Sequence, residues 1–219
     1  VEDVMELISD DLPDGLSVSL SVTGTEGNVL NGNLSGTYPP ATYRITGDLT
    51  IADGDTAYIH AGTEFLFDGQ YNFNIYGTLK AIGTESDSII FDNFGDEKWR
   101  GFTLEEASDE TKFEYVRISG AEKELFGGGI YLESSNPTFN HVTISNNAAI
   151  KYGGGGMLLY FANPVLTHVT IANNTGQHEG GGMYLVFSHP ILADVTIDNN
   201  SANASGGGMF LSHSDPTLS

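Results

Sequence analysis

Short apolar runs, broken by single turns, recur through the C-terminal half of the chain. Met183-Tyr184-Leu185-Val186-Phe187 is one such run, rich in strand formers. Ser188-His189-Pro190 interrupts it, because proline lacks the N–H that a strand ladder uses. Ile191-Leu192-Ala193 and Val195-Thr196-Ile197 read as two more short strands on either side of Asp194. Asp198-Asn199-Asn200 reads as a turn, since asparagine tolerates left-handed backbone. Residues 201–205 form a small polar connector, and Gly206, Gly207 and Gly208 lead into the next copy. No helical period of 3.6 residues runs through this unit.

The unit repeats. Gly-Gly-Gly-(Ile/Met)-(Tyr/Leu/Phe)-Leu is anchored at Gly129, Gly156, Gly182 and Gly208, in steps of 27, 26 and 26 residues. Each copy carries a proline at the same distance: Pro137, Pro164, Pro190 and Pro216. Three copies continue into Val-Thr-Ile, at Val142, Val169 and Val195, and then into Asn-Asn, at Asn146, Asn173 and Asn199. So regular a period means one supersecondary unit stacked on itself. Two or three short strands per unit predict the coil of a parallel β-solenoid. Leucine-rich and helical repeats would need a helical segment, which these Gly/Asn/Ser/Thr connectors do not supply.

Stacking turns each repeat position into a column, and strand alternation sorts columns into inward and outward. Met157, Leu159 and Phe161 are expected inside, with Met183, Leu185 and Phe187 above them and Ile130 and Leu132 below. The Val142/Val169/Val195, Ile144/Ile171/Ile197 and Phe139/Leu166/Leu192/Leu218 columns are assigned to the core as well. The Asn pairs predict an asparagine ladder at one corner. The glycine triplets precede no helix and read as a corner device, not a phosphate loop.

One face does not fit a purely solvated rod. If Met183 and Leu185 point inward, Tyr184 points outward, in a column with Tyr131, Leu158 and Phe210. The next outward column reads Glu133, Tyr160, Val186, Ser212. Exposed, this face would be an apolar patch of a kind soluble monomers rarely show. Three covers are open: the N-terminal segment, another chain, or a carbohydrate or other ligand on an aromatic platform. Tyr131, Glu133, Leu158, Tyr160, Tyr184, Val186 and Phe210 are therefore the candidate ligand- or partner-binding residues.

Residues 1–42 read as an N-terminal cap and 43–219 as the solenoid, of about seven coils. Val1, Val4, Met5, Ile8 and Leu12 have the spacing of a short amphipathic helix, ended by Pro13-Asp14-Gly15. Residues 16–22 alternate as a half-buried strand. The repeat template is still open at Ser219, which leads us to expect a fragment of a longer protein or an end that docks onto another chain.

Charge narrows the partners. Eight Lys plus Arg face 29 Asp plus Glu, a formal net charge of −21. Nucleic acid and anionic membrane surfaces are disfavoured, since both need a basic footprint. There is no cysteine, hence no disulfide framework. No apolar run approaches the ~20 residues of a membrane span.

The GGG-(I/M)-x-L…P…V-T-I-x-N-N pattern resembles the right-handed parallel β-helix proteins, a large group of secreted and surface bacterial proteins. The resemblance is strong over 127–219. It is looser over 45–126, through Gly47-Asp-Leu-Thr-Ile51, Gly77-Thr-Leu-Lys-Ala81, Ile89-Ile-Phe91 and Trp99-Arg-Gly-Phe-Thr-Leu104. It implies the right-handed sense, and it raises catalysis, because many such proteins are polysaccharide lyases or hydrolases. A uronate lyase uses an Arg or Lys base, often with Ca²⁺. Lys151 sits in a variable loop, and Arg100 and Arg117 carry no shared motif. A glycosidase needs two carboxylates roughly 5–10 Å apart. Asp194 and Asp198 border one strand, but their repeat positions hold His or small residues in other coils.

His141, His168 and Asp194 share a column that reads as a solvated corner. The outward Thr143/Thr170/Thr196 column has inward Val and Ile neighbours, not the paired Thr columns of an ice-binding array. The expectation is a non-catalytic, adhesin-like module, secreted or at the cell surface. It would bind a glycan or a protein, with a homo-oligomer as a further option. The alternative is a polysaccharide lyase or glycoside hydrolase. No cofactor or metal site is expected; Ca²⁺ is the one ion the acidic composition would accommodate.

Overall fold

The structure is a computed structural model that describes residues 27–219. The helix and strand expected over 1–22 lie outside the described residues. The remainder of the expected cap, residues 27–42, already forms solenoid rungs. Asn28–Asn33 pairs with Thr42–Ile51, and Gly36–Tyr38 pairs with Thr56–His60, both in parallel.

Every strand pairing among the described residues is parallel, in a large sheet and a separate four-stranded one. About seven coils stack, as the period predicts. One register runs Leu49–Phe73–Phe102–Ile130–Met157–Met183–Met209, all facing the interior. A second runs Tyr43–Phe65–Phe91–Ile118–Ile144–Ile171–Ile197. Like residues therefore stack on like, and most of both columns is buried.

The filling changes along the axis. Phe65, Phe67, Phe73, Phe91, Phe102, Phe113 and Trp99 make a continuous aromatic core in the first half. Trp99 stacks on Phe67 at 4.2 Å and donates its indole N–H to the Ser119 carbonyl at 2.7 Å. Beyond Phe139, Leu, Ile, Val and Met take over.

Corners are made by single residues with left-handed backbone. One corner column is Glu106, Ser134, Phe161, Phe187 and His213, with φ between 48° and 50°. Another is Tyr115, His141, His168 and Asp194, and a third is Asn146, Asn173 and Asn199. A left-handed residue turns the chain and breaks strand alternation at that point. This corrects one expectation. Phe161 and Phe187 follow inward Leu159 and Leu185 by two residues, but the corner swings them out, and they are 49% and 42% exposed.

The asparagine pairs divide their labour. The first of each pair adopts the left-handed backbone; the second points inward and forms the ladder. Asn147 Nδ2 donates to Asn174 Oδ1 at 3.1 Å, and Asn174 Nδ2 donates to Asn200 Oδ1 at 3.0 Å. The same oxygens accept the backbone N–H of Asn147 and Asn174. A serine ladder runs at the opposite corner, where Ser188 Oγ accepts from the Ala162 N–H and donates to the Val186 carbonyl. Every buried side-chain polar atom among the described residues finds a partner.

Candidate functional site

The outward side of strands Ile130–Glu133, Met157–Tyr160, Met183–Val186 and Met209–Ser212 carries the expected columns, in register. Strand Phe102–Glu105 extends them downward, placing Thr103 beneath Tyr131 and Glu105 beneath Glu133. Along the axis the first column changes from Thr50, Asn74 and Thr103 to Tyr131, Leu158, Tyr184 and Phe210. The face is thus polar at one end and aromatic at the other.

The glycine connectors of the same chain lie against the first column. A Cβ on Gly153 would sit 2.9 Å from Cδ1 of Tyr184, and one on Gly154 would sit 2.9 Å from Cβ of Leu158. Connector strands Glu122–Lys123, Ala148–Ala149, Thr175–Gly176 and Ser201–Ala202 form the four-stranded sheet. Behind the glycines the fit is backbone on backbone: a Cβ on Gly155 would meet the Thr175 carbonyl at 2.4 Å. Leu158 is accordingly 3% exposed, while Tyr131, Tyr184 and Phe210 are half-buried.

Lys123 closes the polar end of this layer. Its ammonium donates to Thr103 Oγ1 and, at 3.4 Å, to the Phe102 carbonyl, and it lies 5.6 Å from the centre of the Tyr131 ring. Burial lowers its pKa to about 8, opposed by the charge of Glu105 and reinforced by Arg100. It makes no ion pair among the described residues, whereas Arg44, Lys80, Lys112 and Lys151 each do. Tyr131 donates to Glu133 Oε2 at 2.8 Å. Burial, and next that carboxylate, push the Tyr131 phenol well above the ordinary tyrosine range. Burial raises Tyr184 too.

The second column, Glu133, Tyr160 and Val186, remains half-open, and it borders the corner ladder. Phe161 stacks on Phe187 at 4.9 Å with 7° between planes, and Phe187 stacks on His213 at 4.8 Å. The Tyr160 ring stands edge-on to Phe161 at 4.6 Å. Open surface therefore runs along Glu133, Tyr160, Val186 and the corner phenylalanines.

The other candidates are dispersed. Arg117 is exposed on the opposite side, one register below Thr143. His141 stacks between Tyr115 and His168, and His168 Nδ1 lies 3.9 Å from Asp194 Oδ2, all at an exposed corner. Among the described residues no group of three His, Cys, Asp or Glu is placed to hold a metal ion. No described helix is long and apolar enough to cross a membrane.

Sequence reasoning did not pick out Lys123, Thr103 or Glu105. Thr103 and Glu105 were findable by carrying the outward parity one coil below Tyr131 and Glu133. Lys123 sits in a connector whose counterparts are Ala149, Gly176 and Ala202, so its column gives no warning of a cation.

No curated protein and no solved structure matches the chain. A family profile described as "Right handed beta helix region" matches residues 86–219, more than half of the chain. The parallel coils, the inward asparagine ladder and this match agree, and the chain belongs to the right-handed β-helix family.

Proposed function

We propose that the protein is a non-catalytic extracellular binding module, adhesin-like in role, that holds a glycan along the open strip beside its aromatic corner. The observation that carries this reading is the line of half-open Glu133, Tyr160 and Val186 next to exposed Phe161 and Phe187. Flat apolar rings beside hydroxyl and carboxylate acceptors suit a sugar, which has C–H faces and O–H edges. The strip runs along the solenoid axis, so an extended chain could contact several coils. The remaining candidates, Tyr131, Leu158, Tyr184 and Phe210, support the strip from beneath the connectors.

A polysaccharide lyase or hydrolase is the second reading. Lys123 favours it, because an amine with a pKa near 8 is partly neutral at physiological pH, and Tyr131 and Glu105 lie near it. Its present partners, Thr103 Oγ1 and a backbone carbonyl, also suit a structural clamp, and the connector limits access to it.

Retention of the chain on insoluble cellulose, xylan, mannan and chitin separates these readings. The supernatant is assayed for reducing ends and unsaturated sugars, with and without Ca²⁺. Retention without product is expected. Product would establish the second reading, and retention on none of the four would overturn the glycan reading.

A further inference from the structure

The corner ladder stops abruptly. Phe161, Phe187 and His213 occupy three successive rungs with the same left-handed backbone. Ser134 occupies the rung below with φ 49°, and its N–H bonds the Tyr160 carbonyl just as that of Phe161 bonds the Val186 carbonyl. The ring positions are therefore in register, one coil or about 4.8 Å apart. Below Phe161, however, the ladder holds only a hydroxymethyl group. Phe187 stacks on two rings, Phe161 and His213, whereas Phe161 stacks on Phe187 alone among the described residues and meets Tyr160 at a steep angle. The rung below Phe161 carries Ser134 in place of a ring, a slot one rung deep in the ladder.

The rim of that slot is polar. Glu133 precedes Ser134, with Tyr131 bonded to its carboxylate; Glu106 lies one rung further down, and the Tyr160 ring stands beside Phe161. Glu106 and Ser134 are exposed. Neither Glu133 nor Glu106 has an ion-pair partner among the described residues, and Lys123 is bonded to Thr103 and the Phe102 carbonyl. With a net charge of −21 as well, an acidic ligand would be repelled.

We infer that the slot between Phe161 and Glu106, floored by Ser134, is a subsite for one sugar ring without an acid group. The ring extends the ladder by one rung, its C–H face on Phe161 and its hydroxyls on the Glu133 and Glu106 carboxylates. This rests on the glycan reading and sharpens it to a position and a charge class.

The test is calorimetric titration of the full chain with cellohexaose, xylohexaose, mannohexaose and hexagalacturonate. At least one neutral hexasaccharide should bind, at least tenfold more tightly than hexagalacturonate. Phe161→Ala should weaken that binding at least tenfold. Phe161→Leu, which keeps an apolar group but no ring, should do the same, with the thermal midpoint of both variants near that of the parent. Arg117→Ala, in the Thr143 column on another side of the rod, should change affinity by less than about threefold. Unchanged affinity in Phe161→Ala, or preference for hexagalacturonate, overturns the subsite while leaving a glycan-binding module standing. Binding of no hexasaccharide, with no retention on polysaccharide, overturns both.

Discussion

Asn173 and Asn174 are neighbours with opposite jobs, and their sequence shows only that both are asparagine. Asn173 is exposed with φ 57°; Asn174 is fully buried and bonded above and below. Which amide turns inward depends on where the corner places the left-handed residue, information carried by φ rather than by residue type. Asn174→Ala strands the Asn147 N–H and amide donors and the Ile144 carbonyl. We expect a loss of about 3 kcal/mol in urea denaturation. Asn173→Gly should cost only a few tenths, because glycine accepts that backbone freely.

Lys123 supplies a pH signature. Its folded pKa is lowered to about 8 from 10.5. Between those values the unfolded chain binds more protons, so this group's contribution to stability rises with pH there and is flat below about 8. Lys123→Met should gain about 1–2 kcal/mol relative to the parent at pH 7, and the gain should shrink by pH 9. Denaturation of both proteins at the two pH values checks this. A difference independent of pH would contradict the assigned burial.

At the scale of elements, the strand columns were readable wherever alternation held, and they failed where a corner intervened. Met157, Leu159, Met183 and Leu185 are inside as expected, and Phe161 and Phe187 are not. The cover of the outward face was also hidden. A run of glycines signals close approach, but not what approaches. In the fold the approaching groups are the neighbouring coil's carbonyls on one side and Leu158 and Tyr184 on the other. Gly155→Ala would place its Cβ 2.4 Å from the Thr175 carbonyl and 2.5 Å from that of Gly181, both fixed in the stack. It should cost about 3 kcal/mol or more. Gly208→Ala, whose Cβ meets Ile197 Cγ2 at 3.4 Å, should cost less than about 1 kcal/mol. Thermal melts of the two variants compare them directly.

For the whole molecule, the period made the last four coils legible and the earlier ones much less so. The inward register that steps by 26 between Met157, Met183 and Met209 steps by 24 from Leu49 to Phe73 and by 29 from Phe73 to Phe102. The early coils drop or gain residues at their corners, so a fixed template loses them while the strands still stack. Stability in such a rod is close to a sum over coils and their interfaces. Removing residues 157–182 joins Gly156 to Met183 at equivalent positions. The shortened chain should fold with the same strand signature in circular dichroism and a lower melting temperature. Removing only residues 157–169 shifts the register by half a coil and should abolish folding.

The central claim is that this face binds a glycan on its open strip while its own connectors cover the rest. Hydrogen exchange of the full chain, with and without the tightest-binding neutral hexasaccharide, tests it most directly. The account predicts slowed exchange confined to residues 133–134, 160–161 and 186–187, with the Thr143/Thr170/Thr196 side unchanged. Protection centred on that opposite side, or on the His141/His168 corner, would contradict it.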